Sequence, residues 1–270
     1  MSVKKFSGSI VVSVLIALIV GATFFAPAIQ AQQQKEVTAE QVAETVILYS
    51  GTRPALAQIR KTGVENGRMS RMRDDGRPEE VRYQLRFMHG DKIEKDKIRL
   101  DQKTPQAEYS IIKNEERLFG IINGSPFTPR ADTAAEFLSE QTHSIEALLR
   151  YKENDSKITS AGKDKQQGVD LYVLDLTDKA NHKTRYFISA KFFRVLWLEY
   201  EEAPPDSSTP VKYMKRFYDY RYAQNTLVPY RTVLIEDGKQ TLETRVLTVT
   251  YGVKMDDSTF QTPEAASGME

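Results

Sequence analysis

The 270-residue sequence predicts a mainly β protein (α+β) in which one large antiparallel sheet curls around a few helices. Three observations support this fold class. Many segments alternate between apolar and polar residues, short turn sequences separate them, and only two segments have helical periodicity. Several strands are also apolar on both faces, which an antiparallel sheet with one side in water does not tolerate. We therefore expect the surplus apolar surface to lie inside the curl.

The N-terminus has the layout of a cleavable secretory signal peptide over residues 1–31. Lys4 and Lys5 precede an apolar run over residues 10–25, and small residues follow as far as Ala31, after which we expect cleavage. An uncleaved N-terminal membrane anchor is the alternative, because the apolar run approaches the length of a membrane span. Either reading predicts a protein outside the cytoplasm, most simply in a bacterial periplasm.

Composition limits the classes of function that remain. Without residues 1–31 the chain loses two of its 38 Lys and Arg residues and keeps all 37 Asp and Glu residues. This near balance gives no electrostatic reason to expect a nucleic-acid partner. The sequence contains no cysteine, which excludes disulfides and thiolate metal sites. We expect a flexible leader at 32–37, a single domain at 38–263 and a disordered tail at 264–270.

Two segments have the pattern of amphipathic helices. The first spans about 38–50 and begins with Thr38 and Gln41 at the spacing of a capping box. The second runs from Asp132 or Thr133 to Arg150. Its apolar positions are Phe137, Leu138, Ile145, Leu148 and Leu149.

The rest of the chain reads as strands separated by turns such as Asn123-Gly124 and Asp237-Gly238. The segment "VRYQLRF" is the clearest half-buried strand, with Val81, Tyr83, Leu85 and Phe87 on one side and polar residues on the other. Further strands are predicted at 57–72, 93–101, 108–113, 117–122, 157–162, 169–176, 184–190, 192–201, 211–222, 228–236 and 240–253.

Two strands carry the doubled apolar pattern most clearly. In "VDLYVLDL" the set Val169, Leu171 and Val173 faces away from Tyr172, Leu174 and Leu176. In "FFRVLWLEY" the set Phe192, Leu196 and Leu198 alternates with Phe193, Val195 and Trp197. We expect one of the two faces in each strand to look into the hollow of the sheet.

The order of motifs over about 95 C-terminal residues resembles a known family. A strand ends at Asp219-Tyr220-Arg221, a second strand contains Pro229, a charged hairpin follows at Asp237-Gly238-Lys239, a long strand spans 246–253, and the finish is "MDDSTF" with Pro263. This order resembles the outer-membrane lipoprotein carrier family and related periplasmic half-barrel proteins. The resemblance implies an unclosed barrel of about eleven antiparallel strands. Its concave apolar face is lidded by helices and binds acyl chains or lipidated partners.

The residues that carry chemistry do not assemble into a catalytic or metal pattern. His89, His143 and His182 stand in separate contexts without a second ligand at metal-binding spacing. We expect His143 to be a partly exposed helix residue. The adjacent acids 74–75, 115–116 and 256–257 read as solvated turn residues, because neighbours in a strand point to opposite faces. The sequence thus predicts no catalytic residue, no enzyme activity, no metal and no cofactor.

The expected function is a non-catalytic, monomeric periplasmic carrier or binding protein for a lipid acyl chain or a lipoprotein. The alternative is an envelope-stress sensor or regulatory interaction module that holds an envelope protein on the same fold. Ordinary sheet packing is the competing role for each cavity-lining candidate. These candidates are Tyr83, Leu85, Phe87, Leu171, Val173, Trp197, Phe137, Leu138 and Tyr220.

Overall fold

A computed structural model describes residues 37–73, 75–104, 107–115 and 117–262. The predicted signal peptide, the leader up to residue 36 and the predicted tail lie outside these residues. The chain from Val37 onward forms one compact unit. No helix in the described ranges is both long enough and apolar enough to cross a bilayer.

The described ranges contain four α-helices. They are α1 (Ala39–Ser50), α2 (Arg53–Ile59), α3 (Ala131–Thr142) and α4 (Ile145–Leu149). The prediction of α1 is confirmed together with its capping box. The Thr38 hydroxyl accepts a bond from the Gln41 backbone N–H at 3.2 Å, and the Gln41 side chain accepts one from the Thr38 N–H at 2.9 Å. Two donors that would otherwise lack helical partners are thereby satisfied.

The described residues also form thirteen antiparallel strands, two more than the eleven or so that the resemblance implied. They are β1 (Thr62–Met72), β2 (Pro78–Met88), β3 (Lys97–Lys103), β4 (Glu108–Lys113), β5 (Leu118–Ile122), β6 (Ser125–Phe127), β7 (Lys157–Gln166), β8 (Val169–Thr177), β9 (Lys183–Ser189), β10 (Val195–Glu202), β11 (Val211–Ala223), β12 (Thr226–Glu236) and β13 (Lys239–Tyr251). They form one sheet in the order β6-β5-β4-β3-β2-β1-β13-β12-β11-β10-β9-β8-β7. Two meanders, β1–β6 and β7–β13, therefore meet where β1 pairs with β13.

Three predicted boundaries are wrong for local reasons. The segment predicted as a strand from residue 57 begins as α2, where Pro54 occupies the first turn and its fixed φ suits a helix start. The strand predicted from residue 93 begins at Lys97, because Ile93–Lys95 form a 3₁₀ turn. The strand predicted from Phe192 begins at Val195, and the preceding residues form the β9–β10 turn.

The second predicted helix is divided in two. The first part, α3, ends at Thr142. His143 is not helical, and the second part, α4, begins at Ile145. The Ser144 hydroxyl accepts a bond from the Ala147 N–H at 3.0 Å and caps α4. A serine that caps a helix N-terminus competes with a continuous helix through the same position, which accounts for the break.

The sheet is strongly curved. Asp155 forms ion pairs with Lys92 at 2.6 Å and with Lys179 at 2.7 Å. Lys92 follows β2 and Lys179 follows β8, and these strands are seven positions apart in the sheet. In a flat sheet that separation is about 34 Å. Two lysine side chains cannot span this distance to one carboxylate, so the sheet must curl without closing.

We call the face that packs against α1 and α4 the inner face, and the opposite face the outer face. The inner face of β7–β11 and these helices enclose a large core that includes Val46, Leu148, Leu174, Tyr186 and Leu198. Tyr186 and Leu198 are completely buried there. The doubled apolar pattern therefore has one face packed against helices, as expected.

The outer face carries apolar clusters of its own, which corrects the expectation that the surplus lies inside the curl. Leu171, Val173, Phe187 and Trp197 pack together there, with the Phe187 and Trp197 rings stacked at 4.4 Å between centroids. On the outer face of β4 and β5, the C-terminal 3₁₀ turn inserts Phe260, which is completely buried. Side chains of the strands and of this C-terminal turn thus cover apolar surface that no helix covers.

Candidate ligand-binding site

The inner face of β1–β5, β12 and β13 forms a second apolar region, which we call the inner trough. Its buried core includes Phe87, Ile111, Tyr251 and Phe137, the last contributed by α3. Eight further apolar side chains pack against this core and are only partly buried. They are Ile59, Leu85, Leu100, Tyr109, Leu118, Phe127, Tyr230 and Val249. Among the described residues, the trough therefore has eight partly buried apolar side chains around a core of seven, whereas the region under α1 has five around a core of eighteen.

Helix α3 lies over the inner face with few apolar contacts of its own. Phe137 is its buried side chain among residues 131–142. Polar contacts hold the rest of α3 at its edges. Glu136 pairs with Arg71 of β1 at 2.7 Å, and Ser139 donates to Glu202 of β10 at 2.6 Å. The helix thus bridges the two meanders across the inner face.

The opposite end of the interior is closed by a buried ion pair. Asp96, between β2 and β3, accepts a bond from Arg150 at 2.7 Å, and its carboxylate is 2 % exposed. Arg150 also donates to the Gly90 carbonyl at 2.8 Å, and Lys113 donates to the Asp96 carbonyl at 2.8 Å. Burial raises the pKa of Asp96, and the charges of His89 and Arg150 oppose that rise.

Charged groups also separate the two apolar regions of the inner face. Arg60 pairs with Glu146 at 2.8 Å, and His89 lies 3.7 Å from the same carboxylate. Burial acts to raise the pKa of Glu146, but the charges of Arg60 and His89 outweigh it and hold the pKa below its usual value. Burial lowers the pKa of His89, and the carboxylates of Glu146 and Asp96 oppose that shift. The trough is consequently bounded by paired charges.

His143 is buried, which contradicts the expectation of a partly exposed helix residue. Its ring is 1 % exposed and stacks on Tyr200 with 3.8 Å between centroids. The Nδ1 atom lies 2.7 Å from the Thr184 hydroxyl and Nε2 lies 2.9 Å from Glu202. A neutral ring that accepts from Thr184 and donates to Glu202 satisfies both contacts. The helix break described above allows this inward position.

The predicted cavity-lining residues fall into separate places. Phe87 and Phe137 belong to the core of the trough, and Leu85 lies along it. Tyr83 is buried on the same face of β2, where its hydroxyl donates to Glu65 at 2.6 Å. Tyr220 packs instead under α1 and donates to the Val195 carbonyl at 2.6 Å.

The other four candidates do not join the trough. Leu138 is 41 % exposed on α3. Leu171, Val173 and Trp197 lie on the outer face. A β-bulge between Val195 and Trp197 shifts the alternation of β10. As a result the face of Trp197 cannot be read from simple alternation.

Sequence reasoning missed several residues of the trough, including Leu100, Tyr109 and Tyr230. Each lies in a predicted strand, so the alternating pattern contained the necessary signal. The pattern did not show which face of each strand points toward the trough. That choice depends on where the helices pack, which is a tertiary property.

A concavity of about 670 Å³ opens on the outer face, and most of its lining side chains are polar or charged. Its centre is Asp101, which accepts bonds from Arg86 at 2.6 Å, Arg99 at 2.8 Å and Ser110 at 2.5 Å. Lys103 at its edge pairs with Glu108. Arg86, Arg99 and Lys103 of this cleft therefore have carboxylate partners, and its chemistry does not suit an apolar ligand. Within the described residues no group of three or more His, Asp or Glu side chains could hold a metal ion.

Solved structures with the same fold include three proteins that the chain covers almost completely. An outer membrane lipoprotein-sorting protein domain from Vibrio parahaemolyticus superimposes with a TM-score of 0.56 at 11% identity, over 84% of this chain and 97% of that one. A DUF1329-family protein from Desulfovibrio piger gives 0.57 at 11% identity, over 84% and 99%. A LolA-superfamily protein from Nitrosomonas europaea gives 0.56 at 13% identity, over 83% and 98%.

By sequence, no protein-family model and no curated protein matches the chain. At 11% to 13% identity, the structural likeness establishes the fold alone. It confirms the unclosed antiparallel fold that the C-terminal resemblance implied, and the phenylalanine of "MDDSTF" is the buried Phe260. The chain has the curved, unclosed antiparallel sheet of the outer-membrane lipoprotein-sorting proteins.

Proposed function

We propose that this chain is a non-catalytic periplasmic protein that binds the acyl chain of a lipid or lipoprotein in the inner trough. The observation that carries the proposal is the set of partly buried apolar side chains that pack against the core of the trough. An acyl chain laid along them removes its own apolar surface and theirs from water. Each buried methylene contributes about 0.8 kcal/mol, so about ten of them contribute about 8 kcal/mol before the costs of association.

The way α3 is held supports entry of such a ligand. One buried aromatic side chain and a few ion pairs fix α3, whereas α1 buries six residues. Elements with few buried apolar contacts open at lower free energy than core elements. Movement of α3 away from the sheet would open the trough without disturbing the core under α1.

Periplasmic location and the class of ligand follow from separate lines of support. The signal-like residues 1–31 predict export. The fold is that of lipoprotein-sorting proteins, which supports an acyl or lipoprotein ligand by analogy of fold. Cell fractionation followed by N-terminal sequencing tests location, and a mature N-terminus at Gln32 is expected.

The binding experiment has two stages. Native mass spectrometry of the protein taken from its host should show a bound lipid or lipopeptide. A fluorescent fatty acid should then bind the lipid-stripped protein, and Leu100→Trp, which fills the trough with a larger apolar side chain, should weaken binding about tenfold. Leu247→Trp is the matched control, because Leu247 is 57 % exposed outside the trough.

Two results would overturn the proposal. One is equal binding of the probe by the Leu100→Trp and Leu247→Trp proteins. The other is a protein that repeatedly carries no lipid but recovers one stoichiometric envelope protein from extract. That second result would support the regulatory interaction module instead.

A further inference from the structure

An exposed aromatic surface lies at one end of the sheet, and the inner trough does not involve it. It consists of Leu48 and Tyr49 at the end of α1, Phe192 and Phe193 in the β9–β10 turn, and Tyr222 near the end of β11. We call these five residues the aromatic tip. Leu48 is 59 % exposed, Tyr49 48 %, Phe192 51 % and Tyr222 62 %.

Direct contacts join Tyr49, Phe193 and Tyr222, and Leu48 and Phe192 are their neighbours in sequence. The rings of Tyr49 and Phe193 stack with 5.7 Å between centroids. The Tyr222 hydroxyl donates to the Tyr49 carbonyl at 3.4 Å. Phe193 also stacks on Tyr172, at 5.8 Å, which ties the tip to β8. A contiguous exposed apolar surface of this kind marks a binding surface more often than chance exposure does.

The backbone holds the aromatic turn in a strained conformation. Phe193 has a φ of 51°, which is unusual for a residue with a bulky side chain. Its N–H donates to the Ser189 carbonyl at 2.9 Å, and the Phe192 N–H donates to the Ser189 hydroxyl at 3.3 Å. The turn is thus fixed, and Phe192 remains in water at its apex.

Cations surround the aromatic tip. Lys191 lies 5.1 Å from the Phe192 ring centroid, and Arg194 lies 5.8 Å from the same centroid. Lys163 lies 5.8 Å from the ring of Tyr172. In the described part of the chain, these three cations contact aromatic rings and form no carboxylate ion pair. The tip therefore combines exposed apolar side chains with locally uncompensated positive charge.

We propose that the aromatic tip docks on the surface of an anionic lipid bilayer. Aromatic residues settle at the level of the lipid headgroups, because their rings are apolar while their edges or hydroxyls remain hydrated. Lysine and arginine close to an anionic surface add electrostatic attraction. The near-neutral net charge of the chain hides this local arrangement, so the sequence composition did not reveal it.

The inference goes beyond ligand binding, since it concerns where the protein delivers or collects its ligand. The tip and the trough use different residues: no member of the tip belongs to the core of the trough or packs against it within the described residues. Loss of lipid-surface docking and loss of acyl-chain binding are therefore separable.

The test places a tryptophan probe at the tip. Trp197 is the single tryptophan of the chain and is first replaced, as Trp197→Phe, in the full-length protein as its host processes it. Phe192→Trp is added in one protein and Leu247→Trp in the control protein. Leu247 lies on β13 and is 57 % exposed, which is similar to the 51 % exposure of Phe192. Vesicles of phosphatidylcholine with phosphatidylglycerol and brominated acyl chains then quench only tryptophans that reach the acyl boundary.

Quenching about fivefold stronger at position 192 than at position 247 is expected. Binding to vesicles of pure phosphatidylcholine should be about tenfold weaker. Lys191→Glu, which reverses the local charge, should also weaken binding to the anionic vesicles. Equal quenching at the two positions would overturn the proposal. Vesicle binding that Phe192→Ser leaves unchanged would also overturn it, because residues outside the tip, such as the leader, would then account for that binding. An intact interaction with a purified envelope protein but no response to vesicles would assign the tip to a protein partner instead.

Discussion

Arg150 donates from Nη1 to Oδ2 of Asp96 over 2.7 Å, although the two residues precede strands that lie far apart in the sheet. Asp96 directly precedes β3 and Arg150 stands shortly before the edge strand β7. These strands are nine positions apart in the sheet order. The ion pair is therefore a link across the hollow of the curl, in addition to the hydrogen bonds of the sheet itself.

Removal of one partner of this pair should destabilise the fold strongly. Asp96→Asn leaves Arg150 without its carboxylate in a buried setting, and loss of one partner of a buried pair costs about 3 kcal/mol. Urea denaturation should show the midpoint moving to lower concentration with an unchanged slope. Asp170→Asn is the control. Its partner Lys165 is 3.4 Å away and both side chains are largely exposed, so a change within about 0.5 kcal/mol is expected. Similar losses in the two variants would contradict a structural role for the Asp96 pair.

The attachment of α3 should depend on one side chain. Phe137→Ala removes the buried aromatic contact of α3 with the inner face, so amides 131–142 should exchange hydrogen faster while those of α1 keep their protection. The neighbouring Leu138→Ala provides a matched control, because Leu138 is 41 % exposed on the same helix. If both substitutions accelerated exchange equally, or neither did, Phe137 would not be the anchor of α3.

Stability should decrease as the pH falls below neutrality, partly because of His143. Burial lowers the pKa of His143, while Glu202 opposes the change, so the folded protein favours the neutral ring. The unfolded chain takes up a proton first as the pH falls through about 6.5, and folding loses free energy from there down to the lower folded pKa. Urea unfolding at pH 7.5 and pH 5.5 should therefore show a larger loss for the wild-type protein than for His143→Gln. If the wild-type protein and His143→Gln lost the same free energy of unfolding, the pKa of His143 would be the same in the folded and the unfolded protein.

A close approach between β1 and its neighbours should make Gly67 intolerant of a side chain. A Cβ at this position would lie 2.4 Å from the Tyr83 ring and 2.5 Å from the Arg245 carbonyl oxygen. Gly67→Ala should destabilise the protein by about 1–3 kcal/mol, because overpacking moves rings and backbone. Ser70→Ala, on the same strand, is the control and should change stability little. A neutral Gly67→Ala substitution, measured by thermal unfolding, would refute this packing.

The features that sequence predicted best are those governed by local chemistry. Thr38 and Gln41 predicted their own capping box, and Asp237-Gly238 predicted a tight turn in which both residues have positive φ. His143 was misplaced because its partners Thr184 and Glu202 are distant in sequence. Trp197 was assigned to a cavity because alternation reveals burial on both faces without showing which face meets the helices. Tertiary packing decides such questions, and periodicity alone does not encode it.

The pairing of β1 with β13 has a consequence for how the chain folds. The strands of each meander pair with sequence neighbours and can form early, but the joint between the meanders needs residues 62–72 to meet residues 239–251, which are distant in sequence. Until then β1 has an unpaired edge with free backbone donors and acceptors, a known route to aggregation. We therefore expect the unfolded chain to aggregate unless the β13 segment pairs rapidly with the exposed edge of β1.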